Sequence, residues 1–214
     1  MEHENTVIVR KRKKWKFAHF AAFTNCFELH ELQPERWGRP LIVELGAGTA
    51  DLTLALARQQ PDTQFVAVDV KADRLYKGAK AAREQGLAHV AFVRAPAERL
   101  VEVFAPASVA ELWLTFPDPF PRTRQAKHRL THPQFLHIYQ SLLAPGGIVR
   151  FKTDSHDLFT WSLEQIIFDG WQIRELSFDL HRSELPAEYK LTTTFERKFM
   201  AQNLPTHYVS FARP

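Results

Sequence analysis

One cysteine, Cys26, is all the thiol chemistry that this chain of 214 residues carries. An intrachain disulfide is therefore excluded and a reducing compartment fits; a lone cysteine of this kind is ordinarily a small buried apolar group. Long apolar runs are missing too, so no segment is expected to span a bilayer. The nearest thing to a leader is the basic run followed by "FAHFAAFTNCF". His19, Thr24, Asn25 and Glu28 interrupt it, and no small-residue cleavage pattern follows. The scattered histidines His128, His132 and His137 lack ligand spacing, so no metal is expected. Together these absences point to a cytoplasmic protein with no membrane and no metal among its partners. No internal repeat is present.

What is present is ordinary in bulk and uneven in detail. An apolar content of 45% and a charged content of 24% are those of a globular chain, and the length fits one domain with a real core. Acids are absent from two segments: Arg10 to Lys16, "RKRKKWK", has six cations, and Arg122 to Arg129 has four. Setting those ten aside leaves 18 Lys and Arg against 24 Asp and Glu, a remainder of −6. Positive charge is thus concentrated locally, as expected of an edge that meets a polyanion. The chain divides into an arm over residues 1–16 and a single domain over 17–214. For the arm, both a nucleic-acid-binding role and a disordered solubilising tail are open.

Beyond the arm, Phe17 to Leu32 has aromatic and aliphatic residues at helical spacing. Short apolar runs then alternate with helical patterns: "LIVEL" and Thr49–Gln60, "QFVAVDV" and Ala72–Gln85, "VAFVR" and a short helix. The series continues with "AELWLTF" and Pro133–Leu143, then "GIVRFKT" and Leu158–Phe168. This alternation predicts an α/β fold, a doubly wound and mostly parallel sheet with helices on both faces. At the end, "WQIRELSF" and "FERKFMAQ" have only a loop between them, so the last strand is expected to run antiparallel. A seven-stranded sheet of this kind resembles the Rossmann-like class I methyltransferases that use S-adenosylmethionine.

The turn "ELGAGTADL" follows the first of these strands and opens a helix, the context that a nucleotide-binding glycine loop requires. Gly46 and Gly48 let backbone approach a ligand. A dinucleotide fingerprint needs a third glycine where Asp51 stands, and a pyrophosphate would be repelled there. Glu44, two residues before the first glycine, instead suits a ligand that carries cationic groups. Asp69 ends the second strand, where an acid reaches ribose hydroxyls or caps the next helix. "LTFPDPFPRTRQAKHRL", Leu114 to Leu130, puts Asp118 between Pro117 and Pro119. Proline fixes its own φ and biases the residue before it toward extended backbone, so this carboxylate is aimed with little entropy left to lose.

This block is similar to the F-P-D-P-W-P-K-x-R-H-x-K-R-R-L of the bacterial tRNA (guanine-N7)-methyltransferases, and the resemblance extends over nearly the whole chain. Phe116, Pro117, Asp118, Pro119, Pro121, Arg124, Lys127, Arg129 and Leu130 match, while Phe120, Arg122, Gln125 and His128 depart. Thr153 and Asp154 match the family's T-D, and Thr193, Phe195 and Glu196 its T-x-[FY]-E. The resemblance implies S-adenosylmethionine on Glu44, Gly46, Gly48, Asp69 and Asp118, and the guanosine on Arg122, Asp154 and Thr193 to Glu196. It implies tRNA as partner, with the variable-loop guanosine at position 46 as target, and leaves monomer and homodimer open. Ala50 replaces the loop's last glycine, a change that an α-region backbone accepts. Pro96 stands where the family has an acid near the adenine, leaving backbone, apolar surface or Glu98 to make that contact.

Guanine N7 carries a lone pair and no proton, so its methylation needs no general base. Catalysis is then positioning plus negative charge placed where positive charge develops, with Asp118 as the candidate. Asp154 suits the N1 and N2 donors of the guanine edge, and Thr193 and Glu196 complete the cage. Inside folded RNA the nucleotide has to be exposed or flipped. Arg10, Lys11, Arg12, Lys13 and Lys14 of the arm, with Arg124, Lys127 and Arg129, are expected on flanking phosphates, and Trp15 on a base. Two other readings stay open on sequence alone. One is an RNA-binding module of the same fold without catalysis; the other is a methyltransferase for a different substrate, although an amino-group enzyme usually shows N/D-P-P-[YF].

Overall fold

The computed structural model describes residues 20–213, apart from the side chain of Lys198, so the basic arm lies outside the described residues. Eight strands form one sheet in the order β1-β4-β3-β2-β5-β6-β8-β7. They are β1 (Cys26–Glu28), β2 (Leu41–Leu45), β3 (Gln64–Asp69), β4 (Val90–Arg94), β5 (Val109–Thr115), β6 (Leu143–Thr153), β7 (Gln172–Ser177) and β8 (His207–Ala212). The helices are α1 (Asp51–Ala57), α2 (Ala72–Glu84), α3 (Pro133–Leu142), α4 (His156–Phe168) and α5 (Thr194–Met200). Strands β2 to β5 are apolar along most of their length because helices cover both faces, and parallel strands buried twice have no polar face to show. Leu52, Leu56, Leu75 and Ala79 of α1 and α2 pack on one side with Phe65 and Phe92. Phe135, Tyr139, Leu158 and Phe159 of α3 and α4 pack on the other with Val43, Val66 and Leu114.

Two expected elements are replaced. Phe17–Leu32 is not one helix: Cys26–Glu28 form a strand parallel to β4, with Cys26 opposite Phe92. The open edge of β4 offers backbone partners that outweigh helical spacing, and the Phe92 amide donates to the Asn25 carbonyl at 2.8 Å. "FERKFMAQ" is not the last strand but lies largely in α5. The antiparallel strand is β8, inserted between β6 and β7 and antiparallel to both. The short helix after β4 is 3-10, Ala97–Glu102.

The order places the functional end of the sheet. From β2 the chain winds outward to β3 and β4, then returns to β5 on the other side of β2. Between β2 and β5, therefore, successive crossovers diverge, and the loops leaving their carboxyl ends border one crevice. The loop after β2 is pressed against α2 at Gly78. A Cβ there would lie 2.6 Å from the Thr49 carbonyl oxygen and 2.8 Å from the Phe92 ring.

Gly78→Ala should therefore lose stability despite the roughly 1 kcal/mol that alanine gains in helix propensity. A net loss of about 1–3 kcal/mol is expected by urea unfolding, because backbone rather than a flexible side-chain tip has to move.

Candidate active site

The loop after β2 turns back on itself at once. The Gly46 and Ala47 amides donate to the Val68 carbonyl of β3 at 2.8 and 3.0 Å. Gly46 and Gly48 have φ of +72° and +57°, which needs no Cβ to be accommodated. Ala50 follows at φ +59°, left-handed rather than in the α region expected from its sequence. That conformation costs an alanine about 1–2 kcal/mol, and the tight bond from the Ala50 amide to the Ala47 carbonyl at 2.7 Å enforces it. Asp69 fastens the loop from the side: Oδ2 accepts from the Gly48 amide at 2.9 Å and Oδ1 from the Lys71 amide at 2.8 Å.

Glu44 lies beneath this loop. Its carboxyl accepts from the Thr53 amide at 3.0 Å and from the hydroxyls of Thr53 and Thr115. Burial pushes its pKa up, against the hydrogen bonds from Thr115 and Thr53 that pull it down. The side chain is 4% exposed and does not reach the cavity wall.

The loop after β5 carries the exposed Asp118. Its neighbours are not in the extended backbone that their position before proline favours: Phe116 and Phe120 have φ of +48° and +44°. Bulky residues reach that region only under constraint, at about 1–3 kcal/mol each. The constraints are visible. The Phe116 amide donates to the Lys152 carbonyl at 2.9 Å. The Arg129 guanidinium donates to the Phe120 carbonyl at 3.0 Å and to that of Pro119 at 3.2 Å, while lying 4.4 Å from the Trp161 ring centre.

The two loops open onto a cavity of about 310 Å³, in the range of small-ligand sites. Gly46, Asp69, Pro96 and Asp118 line it together, with Lys71, Arg74, Glu98 and Phe116. Four of the six residues expected around the cofactor thus meet; Gly48 is bonded to one of them, and Glu44 supports the loop from behind. The expected substrate residues sit outside this cavity lining. Asp154 is half-buried just beyond the end of β6, and Arg122 is exposed where the proline loop ends. Among the described residues, no cluster of three His, Cys, Asp or Glu side chains is arranged to hold a metal ion.

Thr193 and Glu196 form a capping box at the start of α5, each receiving the other's amide. Glu196 is fully buried. It pairs with the equally buried Lys152 at 3.0 Å and accepts from His181 at 2.8 Å. Burial raises its pKa, but the hydrogen bonds from His181 and Lys152 and the Lys152 charge prevail, and the net direction is down. Burial drives Lys152 down as well, opposed by Glu196. Phe195 between them stays exposed, with its ring 5.7 Å from that of Phe116.

Sequence reasoning missed Lys152, whose partner stands 44 residues away. It also took Arg129 for a phosphate ligand alone. Arg122, Arg124 and Lys127 are exposed, the first just before and the other two within a 3-10 turn over Thr123–His128, whereas Arg129 folds back onto the proline loop. Arg10, Lys11, Arg12, Lys13 and Lys14 fall outside the described residues. A signal for α5 was present: T-x-x-E is a helix-start pattern as well as strand-like threonine alternation.

A family described as a putative methyltransferase matches residues 38–208. The tRNA (guanine-N(7)-)-methyltransferase of Cytophaga hutchinsonii is 40% identical over 175 residues, 80% of this chain and 79% of that protein. That of Bacteroides thetaiotaomicron is 32% identical over 220 residues, covering 95% of this chain and 86% of that one. Among solved structures, the 16S rRNA methyltransferase KamB matches with a TM-score of 0.63 at 17% identity, covering 85% and 91% of the two chains. A variant 16S rRNA (adenine(1408)-N(1))-methyltransferase from Catenulisporales acidiphilia, solved with its cosubstrate SAM, matches at 0.59 and 14%, again over 85% and 91%. At such identities these structures speak to the fold.

Removing one partner of the Lys152–Glu196 pair leaves a buried charge. Glu196→Ala should cost about 3–5 kcal/mol, and Lys152→Met with Glu196→Leu far less. The stability contributed by Glu196 is complete above its unfolded value of 4.5 and is lost as pH falls through the lowered folded value. Urea unfolding from neutral pH downward should therefore show an acid decline that starts near the unfolded value of 4.5 and continues below it, and the double variant should show a shallower one.

Proposed function

The chain belongs to the tRNA (guanine-N(7)-)-methyltransferase family, and from that membership we propose how its residues divide the work of transferring a methyl group to guanosine N7 in tRNA. S-adenosylmethionine, when bound, supplies a methyl on a cationic sulfur. The cavity between the loops suits it: backbone that no side chain obstructs at Gly46, carboxylates at Asp69 and Asp118, and an apolar wall at Pro96 and Ala97. In this reading Asp69 takes the ribose hydroxyls through the lone pairs that its two amide bonds leave free, and Gly46 and Gly48 let the backbone come close. Pro96 presents a flat apolar surface to the adenine, with Glu98 at its edge. Glu44 acts through Thr53 and Thr115 as the support of both loops.

Asp118 is the proposed catalytic residue. Its carboxylate stands where positive charge moves from sulfur to the purine ring, held by a loop too constrained to retract. The guanine edge falls to Asp154, and its face to the segment Thr193 to Glu196, where Phe195 offers an exposed ring. Thr193 and Glu196 then act by fixing that segment, Glu196 through Lys152 and His181. Arg122 reaches the target nucleotide, while Arg124, Lys127 and the arm take flanking phosphates. Arg129 positions the proline loop. The target within tRNA is position 46 of the variable loop, in a cytoplasmic setting where tRNA is met. No described helix is long and apolar enough to cross a membrane. The observation that carries this reading is the meeting of Gly46, Asp69, Pro96 and Asp118 on one cavity at the topological switch point.

Asp118→Asn removes the charge and keeps the shape. Its kcat for 7-methylguanosine formation, followed by nucleoside mass spectrometry, should fall by about 100-fold or more, with tRNA affinity within twofold of the parent. Full turnover in this variant would end the assignment.

Replacing Arg122, Arg124 and Lys127 together by Ala should instead weaken tRNA binding. It should flatten the slope of log Kd against log salt by about 1.4, at roughly 0.7 for each of the phosphate contacts of Arg124 and Lys127, and leave the affinity for S-adenosylmethionine unchanged.

A further inference from the structure

Asp51, the residue that breaks the dinucleotide pattern, belongs neither to the cavity wall nor to the basic edge. Its carboxylate joins two segments 143 residues apart. Oδ2 accepts from the Thr194 amide at 2.7 Å and Oδ1 from the Thr49 hydroxyl at 2.8 Å. Thr49 and Asp51 continue the loop that Gly46 and Gly48 begin, and Thr194 opens α5 at the proposed guanosine segment. The amides of Thr193 and Glu196 are satisfied inside that segment by its own capping box. The Thr194 amide is satisfied from outside the segment, by Asp51, so this bond fixes where the segment stands relative to the cofactor loop. Arg197 reinforces the contact, donating to the Thr194 hydroxyl at 2.9 Å and to the Thr192 carbonyl. Burial raises the Asp51 pKa, but the bonds from Thr194 and Thr49 and the Arg197 charge prevail and hold it ionised.

We propose that Asp51 is a positioning residue that ties the guanosine-binding segment to the cofactor loop through the Thr194 amide, so that the cofactor and tRNA reinforce each other's binding. The proposal rests on the reading that Thr193 to Glu196 meets the guanosine. Reinforcement of this kind is reciprocal, since each ligand orders an element that the other needs.

The test is tRNA affinity with and without saturating S-adenosylhomocysteine, which fills the cofactor cavity without reacting. In the parent protein the homocysteine compound should tighten tRNA binding by about fivefold or more. Asp51→Ala should bring that ratio close to one and raise KM for tRNA more than it lowers kcat, with affinity for S-adenosylhomocysteine alone within about twofold. Asp51→Asn, which keeps an oxygen for the Thr194 amide, should restore most of the ratio. A parent ratio of one, a parent-like ratio in Asp51→Ala, or a loss confined to S-adenosylhomocysteine binding would each overturn the proposal. Phe195→Ala separates the premise from the inference. If it leaves KM and kcat for tRNA untouched, the guanosine reading of the segment falls and the proposal with it. If it impairs them while Asp51→Ala does not, the coupling alone is wrong.

Discussion

A single buried carboxyl, that of Glu44, stands under both loops of the site. It is the penultimate residue of the otherwise apolar strand β2 and accepts from Thr115 at the end of β5 and from Thr53 in α1. An acid so placed is tolerable only because its oxygens are occupied by donors; without them its burial would cost several kcal/mol. The same donors fix the geometry above it. Thr115 is the last residue of β5, directly before Phe116, and Thr53 lies in the helix that the glycine loop opens. A shift of the end of β5 or of α1 would strip a bond from a buried polar group. The divergence of crossovers between β2 and β5 creates the crevice, and Glu44 links its two sides.

Strain in the proline loop is tolerable on the same foundation. Phe116 and Phe120 hold left-handed backbone, against the extended conformation that the prolines after them favour, because two outside groups bind it there: the Lys152 carbonyl and the Arg129 guanidinium. Lys152 does double service, its backbone holding Phe116 while its ammonium anchors Glu196 and with it the start of α5. The elements around the crevice are therefore joined pairwise. The glycine loop meets α5 through Asp51, β6 meets α5 through Lys152, and β6 meets the proline loop through Phe116. Such cross-bracing lets a carboxylate stay exposed at Asp118 without losing its aim.

Much of this was legible in the sequence. "LIVEL", "VAFVR" and "AELWLTF" read as buried parallel strands because continuous apolar runs of that length between helical patterns have few other uses. The glycine loop, Asp69 and Asp118 could be brought to one site through the resemblance to a methyltransferase family, which supplies what the alternation of strands and helices leaves open. What stayed hidden depends on partners distant in the chain. Nothing near Glu44 announces Thr115, 71 residues on, and nothing near Arg129 announces that its charge turns toward Trp161 and the proline loop. Cys26–Glu28 became a strand because β4 has a free edge, a tertiary fact. The last strand was displaced by a different ambiguity: threonines before an acid suit a strand face and a capping box alike, and "HYVSFA" was the better β sequence left unread.

The placement of Glu44 also changes the charge that a ligand meets. With that acid sealed beneath the floor, the wall offers Asp69 and Asp118 on one hand and Lys71 and Arg74 on the other, with Glu98 at the rim. A phosphate-rich dinucleotide would find two carboxylates facing it and Asp51 where its helix terminus should be open, an arrangement that repels it. A ligand with sulfonium, ammonium and carboxylate groups finds both signs. Charge on the outside runs the opposite way: Arg122, Arg124 and Lys127 project beyond the same loop that carries Asp118. One short stretch of chain thus carries exposed cations on one side, where the proposed function sets the RNA, and a cavity-lining carboxylate on the other, where it sets the methyl donor. The constrained backbone between Phe116 and Phe120 is what keeps those two surfaces from being exchanged.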